Sequence, residues 1–326
     1  MGRLNHSYRL VIGIPSSAER KTNKNSKFTS SVDLDTSLQS SSSKTNAYEL
    51  TTYQITFRII KDNNTDPNKS SITIFNLKDD TVAYINNNIK NNLAIFLEVG
   101  YEGEQLVQVF KGTIQWISDT KDGATRRTEL HCIDGGVNMM EAQTSRSYPK
   151  GTKYSTVIND LVKDLGTPKG AIKISDDKTI PSSIALTGNT SHNLEHITKS
   201  IDHTFSIQDG AAYVMPQSER LPANSAYISE ETGLIGSPQP FHNDIKPAKK
   251  TTKKTKSKKP KKPTDGVRFK CQINGTILPE KTVYLKSKNY DGAFKVISVS
   301  HEGDYEGNNW TSNVEAVSVS GIVKKG

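Results

Sequence analysis

Residues 107–118 read VQVFKGTIQWIS, and a similar phrase, AFKVISVS, occupies residues 293–300. In both places a polar turn follows, and then a run of alternating apolar and polar residues: TELHCI at 128–133 and TSNVEAVSV at 311–319. Alternation with a period of two is typical of half-buried strands. The first and last thirds of the chain therefore each contain a long β-hairpin with the same spacing, which predicts two related β units.

Further short strands are predicted in the first third of the chain. The runs at 8–14, 53–60, 71–75 and 93–99 are rich in β-branched and aromatic residues, and a short helix is predicted over 79–90. Glycine and Asn/Asp clusters separate these runs, as turns require. Repeated short strands of this kind indicate an antiparallel barrel or sandwich.

The middle of the chain follows another pattern. One helix is predicted over 153–165, with Gly166 as its end, and another over 191–203. Asp209 opens an Asp-Gly pair between two apolar runs, which is the commonest signal for a tight hairpin. Helices and a hairpin in this order predict a small α+β unit.

The predicted fold class is therefore mainly β with α+β. Two tube-like antiparallel β-barrel domains, at 1–140 and 227–326, flank a small α+β domain at 141–226. The first contains a polar tract at 15–46, and the last a lysine-rich tract at 241–265. Both tracts have too few apolar residues to bury a core, which predicts a mobile loop in each place.

The basic balance of the chain comes from one segment. The 326 residues carry a formal charge of +9, and ten lysines and no acid lie between Lys246 and Pro263, so the remainder has 9 − 10 = −1. The sequence pI of about 9.2 therefore describes this segment and not the whole surface. No apolar run is long enough for a membrane-spanning helix or a signal peptide.

The two cysteines do not define a disulfide framework. Cys132 and Cys271 are far apart, and each lies inside a strand-like run. This pattern matches neither a metal motif nor a disulfide set, and it predicts two buried thiols in a chain made in a reducing compartment.

The lysine-rich tract supports one functional alternative. Its cations could neutralise phosphates, which would make the chain a non-specific nucleic-acid-binding protein acting through Lys246–Pro263. The tract has no arginine for base recognition and no aromatic residue for stacking. The composition instead favours a solvated, self-repelling loop. The candidate polyanion contacts are Lys249, Lys250, Lys253, Lys254, Lys256, Lys258, Lys259, Lys261 and Lys262.

A further alternative is a metallopeptidase. His192, Glu195 and His196 fit the H-x-x-E-H pattern of inverted zinc proteases. On a helical wheel, however, both histidines fall with His203 nearly opposite the apolar face, which predicts a solvent-facing surface. No nucleophile elbow, phosphate loop or dinucleotide fingerprint is present. The sequence thus predicts no enzyme, no cofactor and no metal site.

Several phrases together resemble the baseplate hub proteins of tailed phages, in particular the late-control hub family of contractile tails. The matching phrases, in the family's order, are DPNKSSITIFNL at 66–77, VGYEG at 99–103, VFKGTI at 109–114, CIDG at 132–135, TGLIGSP at 232–238, GVRFKCQINGTILP at 266–279, FKVISVSHEGD at 294–304 and Trp310. The resemblance covers about 53–319. The tracts at 15–46 and 246–263 depart from it, and the lysine-rich tract is interpreted as an insertion between two strands.

The resemblance implies a structural protein of the virion, located in the tail baseplate and assembled in the host bacterial cytoplasm. Hubs of this family form homotrimeric rings in which two barrels per chain give pseudo-sixfold symmetry. Such a ring adapts the sixfold tail tube to the threefold spike. The implied partners are further copies of the chain, the tail spike, tail tube and tape-measure proteins, other baseplate proteins and the DNA end in the lumen.

Overall fold

The computed structural model describes residues 5–14, 47–63, 67–216, 226–243 and 264–318. The predicted loop at 15–46, and residues 244–263 of the predicted lysine-rich loop, lie outside the described residues.

The first β unit consists of seven strands and one helix. The strands are β1 His6–Gly13, β2 Ala47–Leu50, β3 Ile55–Asp62, β4 Lys69–Phe75, β5 Ala94–Tyr101, β6 Val107–Asp122 and β7 Thr125–Ile133. Helix α1 spans Asp79–Asn88 and continues as a short 3-10 turn. Alternate residues of β3, including Ile55, Phe57 and Ile59, are buried, as the period of two in its sequence predicts.

The α+β unit follows directly. Its elements are α2 Gly136–Glu141, β8 Gln143–Tyr148, α3 Tyr154–Leu165, β9 Lys169–Ile172, β10 Ile184–Asn189, α4 Thr190–Ser200, β11 His203–Gln208 and β12 Ala211–Pro216. Gly166 ends α3 in the left-handed region at φ 70°, which a glycine adopts without steric cost. The Asn189 side chain caps α4 by accepting from the N–H of His192.

The second β unit contains six strands. They are β13 Ala226–Ile228, β14 Leu234–Asn243, β15 Thr264–Gln272, β16 Thr282–Lys286, β17 Asp291–Asp304 and β18 Trp310–Ser318.

All thirteen strands of the two β units belong to one sheet. Its order is β14-β15-β18-β17-β3-β4-β7-β6-β5-β1-β2, and β16 with β13 branches from β17. The units join where β17 pairs with β3, from Ser298 opposite Asp62 to Asp304 opposite Thr56. The mainly β class with a smaller α+β part is confirmed, whereas the shared sheet was not part of the sequence prediction.

Three hydrophobic clusters lie along the chain, one in each β unit and one in the α+β unit. They are not fully separate, because Trp310 of β18 packs in the cluster of the first unit and donates its indole N–H to Gly100 O at 3.1 Å. In the described part of the chain, no helix combines the length and apolar character needed to cross a bilayer.

Two predicted boundaries were wrong. The lysine-rich loop was placed at 241–265, but residues 241–243 belong to β14 and residues 264–265 to β15, and Asn243 pairs with Thr264. The helix placed at 191–203 in the α+β unit ends at Ser200. His203 begins β11 and is buried, with its Nδ1 2.7 Å from Ile201 O.

Candidate assembly site

The sheet contains the same four-stranded arrangement twice. The order β3-β4-β7-β6 in the first unit matches β14-β15-β18-β17 in the second. Each long hairpin has one bulge in its first strand, between Ile114 and Trp116 in β6 and between Val296 and Ser298 in β17. Counted from these bulges, Trp116 is equivalent to Ser298.

Hydrogen bonds outside the ladders support this equivalence. Thr128 Oγ1 donates to Asp119 Oδ1 at 2.8 Å, and at the equivalent positions of the second unit Ser312 Oγ lies 2.8 Å from His301 Nδ1. The repeat therefore extends to the cross-strand contacts of the hairpins, beyond the similar spacing seen in the sequence.

The equivalence also extends to β3 and β14. Arg58 of β3 lies in register with His131 of β7 across the intervening strand β4. Gln239 of β14 lies in register with Glu315 of β18 across β15, and His131 and Glu315 are equivalent residues. The strand ends therefore correspond as well, with Asp62 closing β3 and Asn243 closing β14.

The pairing of β17 with β3 forms an internal joint between the two β units. Each chain also contains an equivalent of each of these two strand edges that lacks a described partner. Within the joint, residues 298–304 of β17 pair with β3. The equivalent residues of β6, 116–122, pair with β7 on one side and have no strand on the other within the described residues. β14, the equivalent of β3, pairs with β15 and has no second described neighbour along its edge. Because the open edge of β6 is equivalent to that of β17, and β14 is equivalent to β3, the two open edges can pair with each other as β17 pairs with β3.

The backbone direction of β14 follows from β3. The N–H groups of Ile60 and Asp62 bond to side chains on the β4 side, so the odd-numbered residues of β3 turn their N–H toward β17. By equivalence, Pro240 and His242 of β14 face the open edge. Proline lacks an N–H and is found in sheets chiefly at such edges.

A cleft with a mainly apolar lining begins at the start of the open half of β6, at Trp116, and runs across β7 and β4 to the end of β3. Trp116 is 53% exposed and stacks on His131, with ring centroids 3.5 Å apart, and Met140 of α2 is 52% exposed. The cleft has a volume of about 910 Å³. Its apolar lining comes from Ile60, Pro67, Trp116, Cys132, Ile133 and Met140. Large exposed apolar side chains grouped in this way are typical of an interaction surface.

A buried charged cluster, the three-way junction, connects the α+β unit to both β units. Lys61 of β3 has no exposed side-chain surface, and its Nζ lies 2.7 and 2.8 Å from the two carboxylate oxygens of Asp209. Asp209 opens the β11–β12 turn at φ 52°. The tip of the α+β hairpin is therefore fixed to the sheet by an ion pair that is largely removed from water.

Asp134, which follows β7, holds the same turn from the other side. Its carboxylate accepts the backbone N–H groups of Asp209 and Gly210, both at 2.7 Å. Burial raises the pKa of Asp134 to about 7, and the charge of Asp209 adds to the shift, while Lys61 and the two N–H groups oppose it.

The second β unit completes the three-way junction. Glu280 and Lys295 form a buried ion pair at 2.5 Å. Glu280 Oε1 also accepts from Asn63 Nδ2 at 3.0 Å and from Thr204 Oγ1 at 3.4 Å. Groups from all three units therefore meet at the joint between β17 and β3.

The raised pKa of Asp134 predicts a pH dependence of stability. Its ordinary pKa is 3.8, so between about pH 4 and 7 the folded chain holds a proton that the unfolded chain has lost, and acidification stabilises the fold through this group. His301, whose burial lowers its pKa to about 3, acts in the opposite direction below pH 6.5. A comparison with Asp134→Asn removes the shared contribution of His301.

We expect the unfolding free energy of wild type, relative to Asp134→Asn, to rise by about 2 kcal/mol from pH 8 to pH 5. Urea titrations at several pH values measure this difference. Parallel pH profiles for the two proteins would show that Asp134 does not titrate as described.

The candidate lysine contacts, Lys249 through Lys262, lie outside the described residues. The structure does describe their stem, because Asn243 and Thr264 pair directly as the last residues of β14 and β15. The position of the tract between β14 and β15 makes it a connection between two neighbouring, paired strands, and its interpretation as an insertion stays a prediction.

Replacement of residues 245–263 by one glycine tests this view. It leaves Asp244-Gly as a two-residue turn between paired strand ends, a favoured hairpin connection. Because loop closure becomes slightly easier, we expect an unfolding temperature equal to or above that of wild type. Calorimetry measures this, and a heparin or DNA titration of both proteins at several salt concentrations shows whether the lysines bind polyanions. A large fall in unfolding temperature would contradict the insertion.

The H-x-x-E-H residues lie on α4. His192 and His196 are exposed, as predicted, and Glu195 forms an ion pair with Lys199 on the same helix. The prediction that His203 joins them at the surface was wrong, because His203 is buried in β11. Among the described residues, no group of three or more His, Cys, Asp or Glu side chains is arranged to hold a metal ion.

Sequence reasoning missed the three-way junction. One signal was available, since Lys61 occupies an inward position in the alternation of Ile55, Phe57 and Ile59. A lysine at such a position needs a buried partner. The partner itself could not be inferred, because Asp209 lies 148 residues away along the chain.

Comparison with known proteins gives matches in structure alone. No family model matches the sequence, and no curated relative matches it. A 43 kDa tail protein of prophage MuSo2 from Shewanella oneidensis superposes with a TM-score of 0.57 at 9% identity, over 84% of this chain and 97% of that one. A tail protein from Neisseria meningitidis MC58 gives 0.55 at 11% identity, over 83% and 94%.

A component of the Escherichia coli type VI secretion system, described as structurally similar to the phage T4 tail proteins gp27 and gp5, gives a TM-score of 0.53 at 8% identity, over 82% of this chain and 74% of that one. The chain therefore has the fold of these phage tail and secretion-system proteins. The resemblance drawn from the sequence phrases is confirmed at this level.

Proposed function

We propose that the chain is a structural hub of a phage tail or phage-like tail, which assembles as a homotrimeric ring in the baseplate of the virion. The tandem repeat with its two open, complementary edges is the observation that carries this proposal. Contacts between unlike edges are head-to-tail, and they close a ring when the rotation between neighbours divides a full turn.

The number of repeats suggests the symmetry. Each chain supplies two four-stranded repeats, so three chains supply 3 × 2 = 6 repeats and 3 × 8 = 24 strands. A sheet closed in this way has no free edge among these strands. Three α+β units on such a ring leave threefold symmetry on the parts that carry them.

This combination suits an adaptor. Six similar repeats match a sixfold tail tube, and three α+β units match a threefold spike. The proposed partners are thus further copies of the chain, a tube protein, a spike protein, the tape-measure protein and other baseplate proteins. The role requires no catalysis, and we propose none.

The mass of the protein in solution tests the proposal, alone and with candidate tube and spike proteins. A trimer of about three times 35.9 kDa is expected, and electron microscopy should show a ring with a central channel. A chain that stays monomeric in every mixture and is absent from purified tails would overturn the proposal.

A further inference from the structure

The end of β3 covers the bulge of β17 at the internal joint. Asp62 pairs with Ser298, and the next residue, Asn63, donates its backbone N–H to Ile297 O at 3.1 Å. The Asn63 side chain bonds Glu280 in addition. Strand pairing therefore ends at this joint with the chain folded over the bulge.

The equivalent bulge of β6 has no such cover in the described residues. Gln115 is its extra residue, and Trp116 beside it is 53% exposed at the mouth of the apolar cleft. The equivalent of Asp62 is Asn243, whose described strand partner is Thr264 alone. The chain therefore has an uncovered bulge in β6 and a matching strand end in β14, at opposite ends of the eight repeated strands.

We propose that the open edge of β6, from Trp116 onward, pairs with the end of β14, Gln239–Asn243, from a second copy of the chain. The inference rests on the ring proposed above and adds the register of its joint. By equivalence with the internal pairs, Asn243 lies opposite Trp116 and Phe241 lies opposite Ser118. The same chain cannot supply this strand end without leaving the observed sheet, in which β14 and β6 are separated by six strands.

The contacts at this joint differ from those of the internal joint. Ile117 and His242 are positioned to exchange two backbone hydrogen bonds, as Val299 and Lys61 do by register, whereas Pro240 contributes no N–H. Burial of Trp116 on pairing offsets part of the free energy that the missing hydrogen bond of Pro240 would contribute. A joint with fewer hydrogen bonds and one large aromatic contact is suited to form between already folded chains.

Disulfide trapping tests the register. Ser118→Cys with Phe241→Cys places the thiols at a non-hydrogen-bonded pair, where Cα atoms lie about 4.5 Å apart, within disulfide range. Ser118→Cys with Asn243→Cys is the matched control, a diagonal pair about 7–8 Å apart. The native Cys132 and Cys271 are buried, and burial raises the pKa of both thiols, so neither competes.

Under mild oxidation we expect covalent dimers and closed trimers from the first pair, at least tenfold more than from the control. A ring that forms but yields no disulfide from the first pair, or yields more from the control, overturns the register and leaves the ring standing. If the disulfide forms only within monomers, the strand that pairs with β6 does not come from a second copy of the chain. A protein that forms no ring overturns the proposed function together with this inference.

Discussion

Asp209→Asn is expected to lower the unfolding free energy by about 3 kcal/mol, because it removes the counter-ion of a lysine with no exposed side-chain surface. Asparagine has the size of aspartate and tolerates the positive φ of 52° at this position, so the turn itself is preserved. The loss therefore measures what Asp209 contributes beyond Asp134, whose carboxylate also interacts with Lys61. Urea unfolding at pH 7.5 provides the measurement.

The control is an additional substitution at Lys61. Methionine has a similar length and no charge, and replacement of both partners of a buried ion pair by neutral groups is often close to neutral in stability. We expect Lys61→Met combined with Asp209→Asn to recover most of the loss. A cost below about 1 kcal/mol for Asp209→Asn alone, or no recovery in the double variant, would mean that Asp134 or water compensates the charge of Lys61 without Asp209.

Trp116→Asp is expected to abolish ring assembly and leave the fold intact. Trp116 is half exposed in the single chain, so the substitution removes little internal packing, yet a tryptophan at the centre of an interface typically contributes about 2 kcal/mol or more. A loss of about 2 kcal/mol at each joint weakens it roughly thirtyfold. Light scattering should give a monomer with an unchanged unfolding temperature, while Trp116→Phe retains assembly.

His242→Pro is the matched variant of the opposite edge. The N–H of His242 faces away from β15, so its loss costs no internal ladder bond but removes a donor from the joint. His242→Ala is its control. Each edge variant alone should be monomeric. An equimolar mixture should give dimers and no rings, because one intact β6 edge and one intact β14 edge remain between them. Rings in the mixture, or in either variant alone, would contradict head-to-tail assembly through these edges.

Part of the assembly site could be predicted from the sequence. The alternation in residues 107–118 and 293–300 placed both long hairpins, and the Asp-Gly pair at Asp209 placed the turn of β11–β12. These features depend on local patterns of apolar residues and on turn chemistry, which are complete within about ten residues. The buried ion pair of Lys61 depends on contacts between distant segments, and no local pattern specifies those.

The mainly β class, the two similar hairpins and the concentration of positive charge between Lys246 and Pro263 follow from the pattern of residues. The packing of the folded chain was needed to show that the two β units share one sheet, and that, among the described strands, β6 and β14 have open edges. The reason is physical. Side-chain periodicity fixes which face of a strand is buried, whereas its backbone groups are the same in every strand, so the choice of neighbour is made by the packing of the whole chain.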